Sequence, residues 1–404
     1  MKILFVASGY PGQSGGSMIN MLVLTRALKE LGHDVFLYKI DIGKESTIPM
    51  DIECSVIKMF TNIIPGNLKY FFNKKDYLLT NNLSETIERK NINLLIVYGN
   101  EALYLLDFKV INKIRKFILL GDPQHLVIEE KINNIINWLK TVFYKNPLLA
   151  VFKLANAIRN CLIFKTKYFI WKNVFKEISV FDWGYATASH HSKYYKTINP
   201  NIVYQPSPVL VAEDVDVLTM IEEKKKSEKI NFLYIGHNLG GTSNFAGLLH
   251  FLKLFKVISN NEIFKNKFKV YIAGDISMLV NDVRKELESF EFVNVLGSID
   301  ISKYASDIHV LLNTIPHTLG NRTRIASLFA YGIPAISHVA AIFGMPSIKE
   351  KGVLLYEDDK SFSECVKKVI SDKNLYYKLS QDAFNSYKEL YSIDNLKATL
   401  SKVI

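Results

Sequence analysis

Apolar runs about one strand long alternate along this chain with stretches of helical periodicity, and several of the runs end in glycine. Residues 2–8 read as a strand that leads into Gly9 and then Gly15-Gly16-Ser17. The largely apolar stretch 17–31 reads as a helix closed by Gly32, and 34–40 as the next strand. Strand, helix and strand in this order predict a right-handed βαβ unit with parallel strands. Further strands are expected at 93–98 and 116–120, with Gly99-Asn100-Glu101 and Gly121-Asp122-Pro123 at their carboxyl ends, where open α/β sheets place ligands. Residues 185–189 and 202–204 supply two last short strands, and Pro206 and Pro208 end the series.

A second series follows a charge-dense stretch, 213–229, which suits an exposed connector. Strand 231–235 runs into Gly236-His237-Asn238-Leu239-Gly240-Gly241-Thr242, with a helix near 244–258 behind it. Strand 269–273 ends in Gly274-Asp275, strand 293–296 ends in Gly297, and 310–312 precedes a helix that begins near Asn321. The pattern predicts an α/β protein of two Rossmann-like domains, 1–212 and 230–384, whose parallel sheets face an interdomain cleft.

Bulk properties narrow the class. The 404 residues exceed one hydrophobic core, and 49% are apolar, enough to fill two. Cys54, Cys161 and Cys365 lie far apart with no CxxC pairing, which points to a reducing cytoplasmic compartment and to no zinc site. The amino terminus enters a strand directly, and no run reaches the roughly 18 to 20 apolar residues of a spanning helix, so a soluble or peripheral protein is expected. The formal charge of +11 is concentrated locally. Nine basic residues and no Asp or Glu lie between Lys131 and Lys176, interleaved with Trp138, Phe143, Tyr144, Phe152, Phe164, Tyr168, Phe169, Trp171 and Phe175. Cations among apolar rings suit an anionic membrane surface, so 131–176 is expected to be a docking insertion in the first domain. No RNP, finger or helix-turn-helix signature supports nucleic acid as the partner.

The densest candidate chemistry is Gly320-Asn321-Arg322-Thr323-Arg324-Ile325 leading to Ala330-Tyr331-Gly332-Ile333-Pro334. Asn321 is expected as the N-cap and Gly332 with Pro334 as the stop, which puts Arg322 and Arg324 in the first helical turn. A phosphate held there would meet both guanidiniums and the free amides. Residues two apart point to different sides, so one arginine is expected to face the ligand and the other to brace the helix. The loop containing Gly236, Gly240, Gly241 and Thr242 is a second candidate cradle for a diphosphate.

The order of glycine loop, Ala273-Gly274-Asp275, Gly297, Gly-x-Arg-x-Arg-Ile and Ala-x-Gly-x-Pro resembles the donor half of GT-B glycosyltransferases, especially the large family 4 group. Residues 2–16 and Ala27-Leu28-Lys29-Glu30-Leu31-Gly32-His33-Asp34-Val35 resemble the acceptor half, and the likeness spans most of the chain. It implies a nucleotide-sugar donor held mainly by the second half, at Gly236, Gly240, Gly241, Thr242, Asp275, Gly297, Asn321, Arg322, Arg324 and Ser327. It also implies an acceptor loop at Gly15, Gly16 and Ser17, no cofactor or metal, and a last helix over 385–404 that crosses back to the first domain. The family pair of glutamates with seven residues between them falls on Leu319 and Ser327, so both carboxylates are absent. The family often has an Arg and a Lys after the first donor-half strand, and 237–247 has neither, so Arg322 and Arg324 are expected to carry that charge.

Asp122, His125 and Glu101 are the acid and base candidates. Asp122 or His125 would deprotonate the acceptor if configuration inverts, or only position it if configuration is retained. Ser189-His190-His191 lacks a third ligand at metal spacing. The expected activity is transfer of a sugar to a glycan or lipid-linked acceptor in cell-surface polysaccharide or glycoconjugate synthesis, at the inner face of the membrane. The alternatives are an epimerase or hydrolase of nucleotide-sugars on the same fold, or an inactive binding protein.

Overall fold

A computed structural model describes residues 1–9, 16–41, 56–60, 75–111, 114–129, 147–209, 215–240, 242–259, 266–277, 281–317 and 320–404, with residues 132, 136, 264 and 279 between them. Contacts divide the chain into two units, the first comprising 1–13 and 28–205, the second 14–27 and 206–404. Each is built on its own parallel sheet.

The first sheet has seven strands: β1 (Lys2–Gly9), β2 (Asp34–Asp41), β3 (Val56–Phe60), β4 (Leu94–Tyr98), β5 (Arg115–Leu120), β6 (Trp183–Ala186) and β7 (Ile202–Tyr204), ordered β3-β2-β1-β4-β5-β6-β7. Every pairing is parallel, with Ile3 opposite Leu94 and Phe117 opposite Trp183. Such strands are covered on both faces, which is why Ile3 to Ala7 and Leu94 to Val97 are buried without alternation. Helices α1 (Gly16–Glu30), α2 (Tyr77–Lys90), α3 (Asn100–Leu105), α4 (Pro147–Phe175) and α5 (Ser189–Lys196) connect them. Asp76 caps α2 by accepting from the Leu79 N–H at 3.0 Å, and Asn91 ends it in the left-handed region at φ 53°.

The second sheet has six strands: β8 (Ile230–Asn238), β9 (Phe268–Asp275), β10 (Val293–Gly297), β11 (Val310–Asn313), β12 (Ala335–His338) and β13 (Val353–Tyr356), ordered β10-β9-β8-β11-β12-β13. Its helices are α6 (Val217–Lys226), α7 (Thr242–Ser259), α8 (Asn281–Glu288), α9 (Thr323–Phe329), α10 (Asp359–Ser371), α11 (Lys373–Ser386) and α12 (Ile393–Leu400). Successive residues of β8 feed opposite cores: Phe232 and Tyr234 enter one, Leu233 the other.

Three expectations need correction. The supposed connector is the helix α6, because Val217, Ile221 and Lys224 form a buried stripe that the surrounding charges conceal. The first unit accordingly ends at Gln205, short of residue 212. The single helix expected over 385–403 is broken: a π-helical turn covers Tyr387–Tyr391, and Ser392 then caps α12 by accepting from the Asn395 N–H at 3.2 Å. In the basic segment, Trp171 and Phe175 of α4 are buried, and Phe164 and Tyr168 pack against the same core. Of the nine aromatics only Phe169 is described on the outer face, beside Leu154, Ile158 and Leu162. Lys131, Trp138, Lys140, Phe143, Tyr144 and Lys145 lie outside the described residues. Among the described residues no helix is long and apolar enough to cross a membrane.

Candidate functional site

The candidate residues gather at the carboxyl edges of the two sheets. In the second unit β8 passes through Gly236 near its end, and β9 runs so close that a Cβ on Gly274 would stand 1.9 Å from the Gly236 carbonyl oxygen. Gly274 also has φ +141°, so both its backbone shape and its surroundings demand glycine. A Cβ on Gly236 would meet the Asn244 side chain at 2.8 Å, whereas at Gly297, with φ +71°, it would meet nothing within 4 Å. Gly297 is a conformational glycine, not a packing one.

Asn244, in the first turn of α7, staples the loop after β8. Its Nδ2 donates to the Asn238 carbonyl at 2.9 Å, and its backbone carbonyl accepts from the Tyr234 hydroxyl at 2.6 Å. The Asn238 side chain in turn accepts from the Gly240 N–H at 2.8 Å. Gly241 and the Thr242 side chain lie outside what the structure describes.

The arginine pair divides its labour. Arg324 donates through Nη1 to the Ile235 carbonyl and through Nη2 to Asn244 Oδ1 at 2.6 Å, bonds that span 89 and 80 residues. It joins the start of α9 to the end of β8. Arg322, only 8% exposed, donates through Nη2 to the His317 carbonyl at 3.2 Å, and its own N–H reaches Met345 Sδ at 3.4 Å. Burial lowers the His317 pKa, and the charges of Arg322 and His338 lower it further. Arg322, not Asn321, holds the N-cap position of α9, since the left-handed turn at Gly320 (φ +56°) delays the helix start by one residue. With seven residues α9 has little dipole to offer, so positive potential here rests on Arg322 itself. The Asn321 amide is shut off from solvent and makes no hydrogen bond among the described residues. Ser327 lies half-buried on α9. Asp275 is held by its own turn: its carboxylate accepts from the Ser277 N–H at 2.8 Å, and the bonds from Ser277 lower its pKa.

In the first unit, Asp122 follows β5 with its side chain 39% exposed, and His191 Nδ1 lies 3.3 Å from Asp122 Oδ1. The approach is a close polar contact that falls outside hydrogen-bond geometry. His191 is on α5, directly after β6, the strand that pairs with β5. Sequence reasoning missed it because only the pairing of β5 with β6 brings the two residues together; its place just past a strand end was the available signal. Tyr195 braces the same corner by donating to the Gly121 carbonyl at 3.1 Å. His125 departs from expectation. It is 2% exposed and ringed by Tyr168, Phe175 and Tyr194, and burial, with the charges of Lys172 and His191, pushes its pKa down to about 4. A shielded, neutral imidazole of this kind does not meet an acceptor. Glu101 falls on α3, but its side chain lies outside the described ones; Gly15 also lies outside the described residues, and Gly16 and Ser17 open α1 in the stretch 14–27 that groups with the second unit, not the first. Among the described residues no three His, Cys, Asp or Glu side chains are grouped to hold a metal ion.

No family model matches the chain, and no curated protein matches it in sequence. Solved structures do match in shape. HepE of Anabaena, in complex with UDP and glucose, superposes with a TM-score of 0.63 at 11% identity, covering 100% of this chain and 98% of that one. A glycosyltransferase of Rickettsia africae gives 0.64 at 13%, covering 100% and 97%. The lipopolysaccharide outer core galactosyltransferase WaaB, in its apo form, gives 0.62 at 13%, covering both chains completely. The fold is GT-B.

Proposed function

We propose that this GT-B protein transfers a glycosyl unit from a nucleoside diphosphate sugar to an acceptor hydroxyl, with the donor on the second unit. The observation that carries this reading is the joining, through Arg324, of two elements distant in sequence: the glycine loop after β8 and the segment bearing Arg322. A buried guanidinium beside closely approaching backbone is suited to a diphosphate whose charge grows as its bond to the sugar breaks. Arg322 takes the electrostatic role that the absent arginine and lysine leave, and Arg324 acts through the loop it holds. Asp122 is the group of the first unit offered to the acceptor hydroxyl. The Anabaena neighbour binds UDP and glucose, which makes UDP and UDP-glucose the first probes.

The acceptor in this reading is lipid-linked and the protein sits on the inner face of the membrane. Leu154, Ile158, Leu162 and Phe169 form one exposed apolar stripe along α4, about 22 Å long at 1.5 Å per residue. Lys165 and Lys172 on the same face are exposed and suit anionic headgroups.

Calorimetric titration tests the donor reading. Arg322→Ala should weaken UDP binding about tenfold or more, measured at a temperature where the variant is still folded. Equal affinity in variant and wild type would overturn it. Products from UDP-glucose and added lipid-linked acceptors separate the activities: a new glycoside supports the transferase, while an epimerised or merely hydrolysed sugar replaces it.

A further inference from the structure

We propose that His191 is a positioning residue that aims the Asp122 carboxylate at the acceptor hydroxyl, an inference that rests on the transferase reading above. The pair has an inside and an outside. His191 is 5% exposed, too enclosed to touch an acceptor, while Asp122 keeps a surface open to solvent. A carboxylate alone on a loop swings among rotamers, and one held on its inner side presents a fixed oxygen outward.

The surroundings point the same way. His190, also on α5, has its ring centroid 3.9 Å from that of His191, so the two imidazoles constrain each other. In the helical residues 124–129 after β5, His125 is wedged by Tyr194 of α5 and by Tyr168 and Phe175 of α4. Lys172 of α4 is the nearest cation acting on His125, and the Tyr195 hydroxyl fixes the Gly121 carbonyl just before Asp122. Burial and the neighbouring His191 push His190 down to about 4, against the pull of Asp122, and His125 is depressed likewise. It is His191 that brings a ring nitrogen to 3.3 Å from the carboxylate.

The test uses the full chain and measures both UDP release from UDP-glucose, with water as acceptor, and UDP affinity. His191→Phe should slow release about tenfold or more while UDP affinity stays within about twofold. His191→Asn, whose amide N–H reaches the Nδ1 position, should restore release to within about threefold of wild type. The double variant Asp122→Ala/His191→Phe should be no slower than Asp122→Ala alone. Wild-type release by His191→Phe, or independent effects that multiply in the double variant, overturns the proposal. If the Phe variant melts early, the nitrogen resonances of the His191 imidazole decide: they should move in Asp122→Asn, and unmoved resonances overturn the pairing. Failure of the wild-type chain to bind UDP sinks the donor reading instead, so the two failures are distinct.

Discussion

The two carboxyl edges are built on opposite plans. In the second unit the edge is made of backbone and permanent charge: touching glycines, an asparagine staple, and arginines fixed by carbonyl oxygens. In the first unit it is made of titratable side chains: a half-exposed aspartate among three histidines with tyrosines behind them. The contrast teaches that one edge suits holding a constant anion and the other handling a proton. It also separates how the two should respond to substitution and to pH. All three tryptophans, Trp138, Trp171 and Trp183, belong to the first unit, so their fluorescence follows its unfolding alone, while calorimetry follows both.

The sharpest way to break the comparison is at the glycines. Gly274→Ala should destabilise the second unit by about 4 kcal/mol or more, from the collision with Gly236 added to backbone strain. Gly121→Ala in the first unit meets nothing within 4 Å and should change stability by less than about 0.5 kcal/mol. Similar losses for the two in calorimetry would erase the distinction. Arg324→Ala should cost about 3 kcal/mol by stranding the half-buried Ile235 carbonyl and Asn244 amide, and should abolish UDP binding with them. Retained UDP affinity would detach the loop from the donor site.

Acid should act on the first unit. The pKa values of His125 and His190 both fall from 6.5 to about 4, so the folded state keeps them neutral and the unfolded state binds the extra protons. Their stabilisation is fully present above pH 6.5 and is lost as pH drops from 6.5 towards 4. Tryptophan-monitored unfolding should show this slope, and His125→Phe should flatten it. The smallest effect concerns Lys224, buried in the second unit with its pKa lowered to about 7, chiefly by burial. Between about 7 and 10.5 only the unfolded state holds the proton, so stability of that unit should rise with pH across this window. Lys224→Met should add about 1 to 2 kcal/mol at neutral pH and remove the rise.

What could be read beforehand follows the range of the interactions. The strands beginning at Lys2, Asp34 and Ile202, the helix closed by Gly32, and the stop at Gly332 are encoded within a few residues, and all stand in the structure. The α6 stripe was hidden because one of its three buried positions is Lys224, which reads as surface within Glu222-Glu223-Lys224-Lys225-Lys226. At the site, two arginines with divided roles follow from their spacing, but which one braces does not. That depends on carbonyl oxygens of β8 that only the sheet brings near. The enclosure of His125 likewise depends on α4 and α5 folding over it.

One consequence follows from Asn244. Its amide nitrogen, amide oxygen and backbone carbonyl are all engaged by Asn238, Arg324 and Tyr234 before any ligand arrives. The end of β8 is therefore tied to the first turn of α7 and to Arg324 in advance, and whatever rearrangement turnover requires must be borne by other parts of the molecule.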